Sequence, residues 1–343
     1  MTRMAQLLTG VLCAALPCAS QQTREPHTFF KKYAQLTDIE IRSIEQGRAV
    51  AKILPSDDPN EIYVFGAVYV NAEPAEYLKL AMDVNRLGSL PQYLGVKKIG
   101  EPPSLSDLDG FRLESADVRN LRNCKAGDCD VQLPAEAMQV FRRRIDWSKP
   151  DAEGQVNREI QQMALAALRE YQHAGNGALA PYHDQDQPVD ISKYFRDLLN
   201  RSNALPAYLP ELHKFLLDYP KAGAHNMKSM FYWERVNFGM KPTLRLNHVV
   251  TYVSSGPGRE AHAVAIKQLY ASHYFQVALD LSICARDTQA SRKAGFFLIS
   301  LKGSRQNGLT GFTGSMIRRV VVSKTRNSQA SALSSIKRML EKR

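Results

Sequence analysis

The residues best equipped for chemistry are histidines set among hydroxyls and carboxylates. His273 lies between Tyr270 and the run Tyr274-Phe275. In an unbulged strand its odd number puts it on the same face as Phe275, Val277 and Leu279, pointing into an apolar interior. A buried imidazole needs a partner there. A core histidine bonded to a tyrosine, a ligand anchor and an acid-base group all satisfy that need. His248 and Tyr252 share a face of their own strand and are weaker candidates for the same role. Tyr182-His183-Asp184-Gln185-Asp186, with Asp190 nearby, places an imidazole among carboxylates that could hold a metal or orient a general base. Its setting is a proline-flanked connection between helices, where such residues also serve as caps. In Cys124-Lys-Ala-Gly-Asp-Cys129 a Gly-Asp turn can bring two thiols together as a small-loop disulfide. A redox pair would want two-residue spacing, and a metal site would want further ligands at spacing. Cys284, within an apolar strand, reads as packing.

No phosphate loop, dinucleotide glycine fingerprint, HExxH or Gly-x-Ser-x-Gly elbow occurs in the 343 residues, so no cofactor and no metal are expected. What must position the histidines is a sheet. Phe275, Val277, Leu279, Leu281, Ile283 and Ala285 alternate with Gln276, Asp280 and Ser282, the pattern of a long half-buried strand. Strand-like runs at 262–270 and 296–302 flank it, giving three antiparallel strands. After the turn 307–311, apolar residues recur at Leu309, Phe312, Met316, Val320, Leu333, Ile336 and Leu340, which predicts one helix of some thirty residues. That helix is expected to cover the apolar face, with a gap near 324–331 where residues are small or polar.

Earlier in the chain, Arg3 precedes an apolar run from Leu7 to Ala19 that ends in small residues, as an export signal would, so residues 1–20 are expected to be removed and the protein to be periplasmic or secreted. Residues 21–133 read as a short helix near 36–47, a strand at 61–70, a helix after Pro74, and strand-like pieces at 95–100 and 111–118. From 134 to 241 strand signals vanish; Val156, Ile160, Met163, Ala164, Ala167, Leu168 and Tyr171 form a helical stripe, and prolines separate such helices. Strand pattern returns from 243, so 242–343 closes the chain with three or more strands and the long helix.

This α+β order, less the helical segment 134–241, resembles the START-like or helix-grip superfamily, in which an antiparallel sheet curls around a long C-terminal helix. The phrases Cys124 to Cys129, Tyr182-His183-Asp184, Phe231-Tyr232-Trp233 and Lys267 to Phe275 also resemble a set of exported bacterial proteins without an assigned activity. The first resemblance implies a helix-grip sheet split by an all-helical insertion. It also implies a hydrophobic, lipid-like ligand held between sheet and helix, and the strand faces read above would then put Tyr252, Tyr270, His273, Phe275, Val277, Leu279 and Leu281 around it. The alternative is an enzyme of cyclase or hydrolase type using the same cavity, and a third reading is an interaction protein with a filled core. Of the net charge of +11, the segment 302–343 carries ten Lys or Arg against Glu341. In an exported chain that points away from nucleic acid and toward an anionic membrane surface, through Arg318, Arg319, Lys324, Arg326, Lys337 and Arg338; the alternative is a solvated face.

Overall fold

The computed structural model describes residues 26–201, 204–221, 223, 225–254, 261–286 and 295–342. The expected export signal lies outside them. Eight strands form one sheet: β1 (Val50–Leu54), β2 (Glu61–Val70), β3 (Tyr93–Ile99), β4 (Met227–Val236), β5 (Thr243–Ser254), β6 (Ala261–Ala271), β7 (Phe275–Arg286) and β8 (Phe296–Gln306). They lie in the order β1-β2-β8-β7-β6-β5-β4-β3, and every neighbouring pair is antiparallel. The closing strands β4 to β8 follow one another as a meander. β8 then pairs with β2, which joins the two ends of the sequence in one sheet.

Helices α1 (Pro26–Lys32) and α2 (Asp38–Glu45) precede β1, and α3 (Pro74–Met82) and α4 (Val84–Leu87) follow β2. Between β3 and β4 come α5 (Ser115–Leu121), α6 (Ala135–Arg144), α7 (Ala152–Ala174), α8 (Ile191–Arg201), α9 (Ala204–Tyr208) and α10 (Pro210–Asp218). The chain ends in α11 (Gly311–Glu341), 31 residues long. The chain is therefore α+β, with a helix-grip sheet and a long C-terminal helix.

Two elements differ from expectation. Residues 227–236, inside the stretch read as helical, form β4. Met230, Phe231, Tyr232 and Trp233 are all buried in a row, because both faces of this strand are covered, and a strand buried on both faces loses the alternation by which it is recognised. Residues 111–118 are a connection running into α5 instead of a strand.

The faces are also distributed differently. Val277, Leu279, Leu281 and Ile283 pack into one large core with Phe195 and Leu198 of α8, Tyr171 of α7, and Phe29 and Phe30 of α1. α11 lies on the other face, against β1 and β2. There Leu333 and Leu340 join Val68, Val70, Val264, Cys284 and Leu298. Alternation predicts that a face is covered and leaves open which element covers it. The expected gap near 324–331 is closed, because Gln329 and Leu333 sit directly on Gly66: a Cβ at Gly66 would meet Leu333 Cδ1 at 2.7 Å and Gln329 Cγ at 2.9 Å. Gly66 is what lets helix and strand approach so closely.

Candidate functional site

The residues expected to surround one ligand are separated. Val277, Leu279 and Leu281 keep 1%, 7% and 3% of their surface. A side chain lining a ligand-sized hollow would keep far more, so these three are packing against the helices rather than lining a cavity under α11. Phe275 is turned to the opposite face by a bulge between Phe275 and Val277. It pairs with Gln306 and stacks edge-on against Phe238, its centroid 5.6 Å from the Arg245 guanidinium. Arg245 in turn pairs with the buried Glu234 at 3.0 Å. Tyr270 meets Tyr182 edge-to-face inside the core.

His273 sits in the turn after β6, not in a strand. Its Nδ1 lies 3.0 Å from the Asp130 carbonyl, which can only accept, and its Nε2 lies 2.9 Å from Asp117 Oδ2. Lys241 Nζ reaches the other Asp117 oxygen at 2.6 Å. Burial alone would push the Asp117 carboxyl up, but His273 and Lys241 outweigh it and hold it below the usual range. This charged group ties α5, the cysteine loop and the β6–β7 turn together. The Cys124–Cys129 disulfide is formed, with Cα atoms 4.7 Å apart. The Tyr182–Asp186 stretch braces it: Gly127 N donates to the His183 carbonyl at 2.8 Å, Cys129 N to the Asp184 carbonyl at 3.2 Å, and Ala271 N to Tyr182 Oη at 3.1 Å. Among the described residues no group of His, Cys, Asp and Glu is placed to hold a metal. His183 and Asp184 brace the cysteine loop through their backbone carbonyls.

A different set of polar groups converges where the helices meet the middle of the sheet. Along β6 the odd positions face the core, and one of them is Lys267, fully buried between Ala265 and Leu269. Its cross-strand partner on β5 is His248. α7 delivers Tyr171, and the turn after it delivers Asn176. Lys267 Nζ donates to Tyr171 Oη at 3.3 Å and to Asn176 Oδ1, and it stands 3.8 Å from the Phe195 centroid and 4.7 Å from that of Tyr171. Tyr171 Oη lies 3.0 Å from His248 Nδ1, and His248 Nε2 lies 2.9 Å from Ser229 Oγ on β4. Phe231 stacks on the imidazole at 4.6 Å, and Tyr219 stacks on Tyr171 at 5.0 Å.

The electrostatics follow from the surroundings. Burial pushes the Lys267 ammonium well below the usual lysine range, and no carboxylate among the described residues pairs with it. Burial, then the nearby Lys267 amine, pushes His248 down to about 3, so its imidazole stays neutral. Burial raises the Tyr171 phenol well above its usual range, so it keeps its proton. The result is a hydroxyl–imidazole–hydroxyl chain beside an amine that is readily uncharged, in a wall of aromatic rings. Such an amine can act as a base, a nucleophile or a latent cation.

Outside this group lies an open cleft of about 770 Å³. Asn176 and Tyr219 belong to both: their inner sides touch the buried group and they also line the cleft. Arg196 of α8 and Glu211, Lys214 and Asp218 of α10 make up much of the remaining wall. Tyr252, one of the expected ligand residues, reaches this wall and donates to Glu211 Oε2 at 3.0 Å. A signal for the site was present in the sequence, since Lys267 falls on the apolar parity of its strand, as does His248 on its own.

No family model matches the chain, and no curated protein matches it. Among solved structures, norcoclaurine synthase from Thalictrum flavum, in complex with dopamine and hydroxybenzaldehyde, is similar at 9% identity over 41% of this chain and 78% of that one, with a TM-score of 0.20. A likeness that slight says nothing of this chain's ligand or chemistry. The helix-grip arrangement stands on the strand order and on α11 as described above.

Proposed function

We propose that the protein binds a small molecule with an anionic group, which enters the cleft between α8, α10 and β4 and brings that group to Lys267. The observation that carries this reading is the lysine itself. A cation held in an apolar wall without a counter-ion costs several kcal/mol, and a buried, strongly perturbed group beside a cleft is the usual mark of a site in use. An incoming carboxylate or phosphate would supply the missing counter-charge. Asn176 and Tyr219 are the groups it would displace, and Arg196 and Lys214 would meet it at the mouth. The cleft is within the size range of small-molecule sites. A lipid-like ligand is less well served, since the apolar residues that would hold it are closely packed.

Calorimetry with a panel of small carboxylates and phosphates tests the reading. Binding should take up a proton as Lys267 becomes charged, so the heat should vary with the ionisation enthalpy of the buffer. Lys267→Met should remove both the binding and the proton uptake. Wild-type protein that binds none of the panel, or a Lys267→Met variant that binds unchanged, contradicts it.

A second reading, acid-base catalysis at the same buried group, is favoured by one observation: neutral His248 is held between two hydroxyls, so its imidazole can take a proton on one nitrogen as it gives one from the other. Export is proposed as well, supported by the Cys124–Cys129 bridge, which suits an oxidising compartment. The mass of the mature N-terminus checks it.

A further inference from the structure

The first half of α11 has an apolar stripe facing water. Phe312, Met316 and Val320 are 87%, 60% and 54% exposed, and Ile317 beside them is 43% exposed. Spaced four apart, Phe312, Met316 and Val320 lie along one line of the helix, and Lys324 continues it. Arg319 and Arg326, seven apart, run along its flank. Between 311 and 326 the helix carries Arg318, Arg319, Lys324 and Arg326 and no acid. The structure divides these cations. Arg318 turns inward to the Pro59 and Glu61 carbonyls, at 2.7 and 2.9 Å, which fixes this part of the helix on the end of β2. Arg319, Lys324 and Arg326 stay exposed. Farther along, Lys337 is likewise tied, to the Tyr69 carbonyl and Glu341. Of the six cations expected to face a membrane, two are therefore committed to the fold. A shallow hollow of about 500 Å³ opens beside Phe312 and Met316, with Arg319 at its rim.

We propose that this half of α11 docks on an anionic lipid surface, with Phe312, Met316 and Val320 entering the headgroup region and Arg319, Lys324 and Arg326 paired with lipid phosphates. An apolar stripe bordered by arginine and lysine is the pattern of helices that lie in the membrane interface. A second copy of the chain fits less well. An isologous pairing of this stripe would gather the cations of both copies in one interface, with no acid on residues 311–326 of either helix to offset them.

The test uses the full chain in co-sedimentation with vesicles of phosphatidylcholine alone or mixed with phosphatidylglycerol. Binding is expected only to the anionic vesicles and should be lost in high salt. Each of Arg319→Gln, Lys324→Gln and Arg326→Gln should weaken it about fivefold, and Phe312→Ser with Met316→Ser should abolish it. All five residues are exposed, so the variants should melt with the wild type. The proposal is overturned if the chain binds neither vesicle, if it binds both equally, or if it is a dimer that Phe312→Ser converts to a monomer.

Discussion

Replacing Lys267 by Met keeps the unbranched stem of the side chain as far as Cε and removes its titration, so the effect on stability should depend on pH in a way set by the buried amine. In the folded chain the lysine proton is bound less tightly than in the unfolded chain, where the side chain titrates near its ordinary value of about 10.4. Between the depressed folded pKa and about 10.4, the unfolded state therefore holds more protons than the native one, and stability rises with pH. The slope at full effect is about 1.4 kcal/mol per pH unit. Each pH unit inside that window should stabilise the wild type by about that amount relative to Lys267→Met. Against this, Met leaves Asn176 Oδ1 without its donor, a loss of roughly 1–3 kcal/mol that does not vary with pH. Urea unfolding of both proteins across this range, with free energies compared at each pH, is the assay. The variant should be the more stable protein at the acid end of the window and lose that advantage as pH rises. A difference between the two that is flat in pH would refute the claim that the amine is depressed by burial.

Three further outcomes follow from the packing. Asp117→Asn removes the carboxylate shared by His273 and Lys241 and leaves both bases facing an amide; a loss of about 3–5 kcal/mol is expected in denaturant melts, as for a broken buried ion pair. Gly66→Leu puts a side chain where Leu333 and Gln329 already lie; it should lower the melting temperature and increase amide exchange over 325–340 before the rest of the chain. Cys124→Ser with Cys129→Ser opens a six-residue loop and should cost about 2 kcal/mol, read as a lower urea midpoint with an unchanged slope.

Much of the fold was legible because burial on one face leaves a periodic trace. β7 and the span of α11 were readable from period, and β2 and β6 from their β-branched and aromatic content. β4 was not, because a strand covered on both sides has no polar face to mark it. The candidate site was less legible, for two physical reasons. The alternation of β7 indicated a covered face, but the choice between α11 and the helices 135–218 as its cover depends on long-range packing that no local pattern encodes. A single extra residue at the Phe275–Val277 bulge then sent Phe275 to the other face, and His273 fell into the turn, where Asp117, distant in sequence, supplied the partner its burial demanded. Lys267 was visible as a lysine on an apolar parity. Only the fold, by placing Tyr171 and Asn176 over it, indicates that no carboxylate among the described residues comes to meet it.

The central claim, that Lys267 is a buried amine awaiting an anionic ligand, is tested most directly by carbon-detected NMR of the lysine Cε atoms through a pH titration. The Lys267 resonance, assigned by its loss in Lys267→Met, should titrate well below the other lysines in the free protein and move upward when a carboxylate or phosphate that binds the cleft is added. A Lys267 signal that titrates with the surface lysines, or one that is unmoved by a ligand bound in the cleft, would contradict the account.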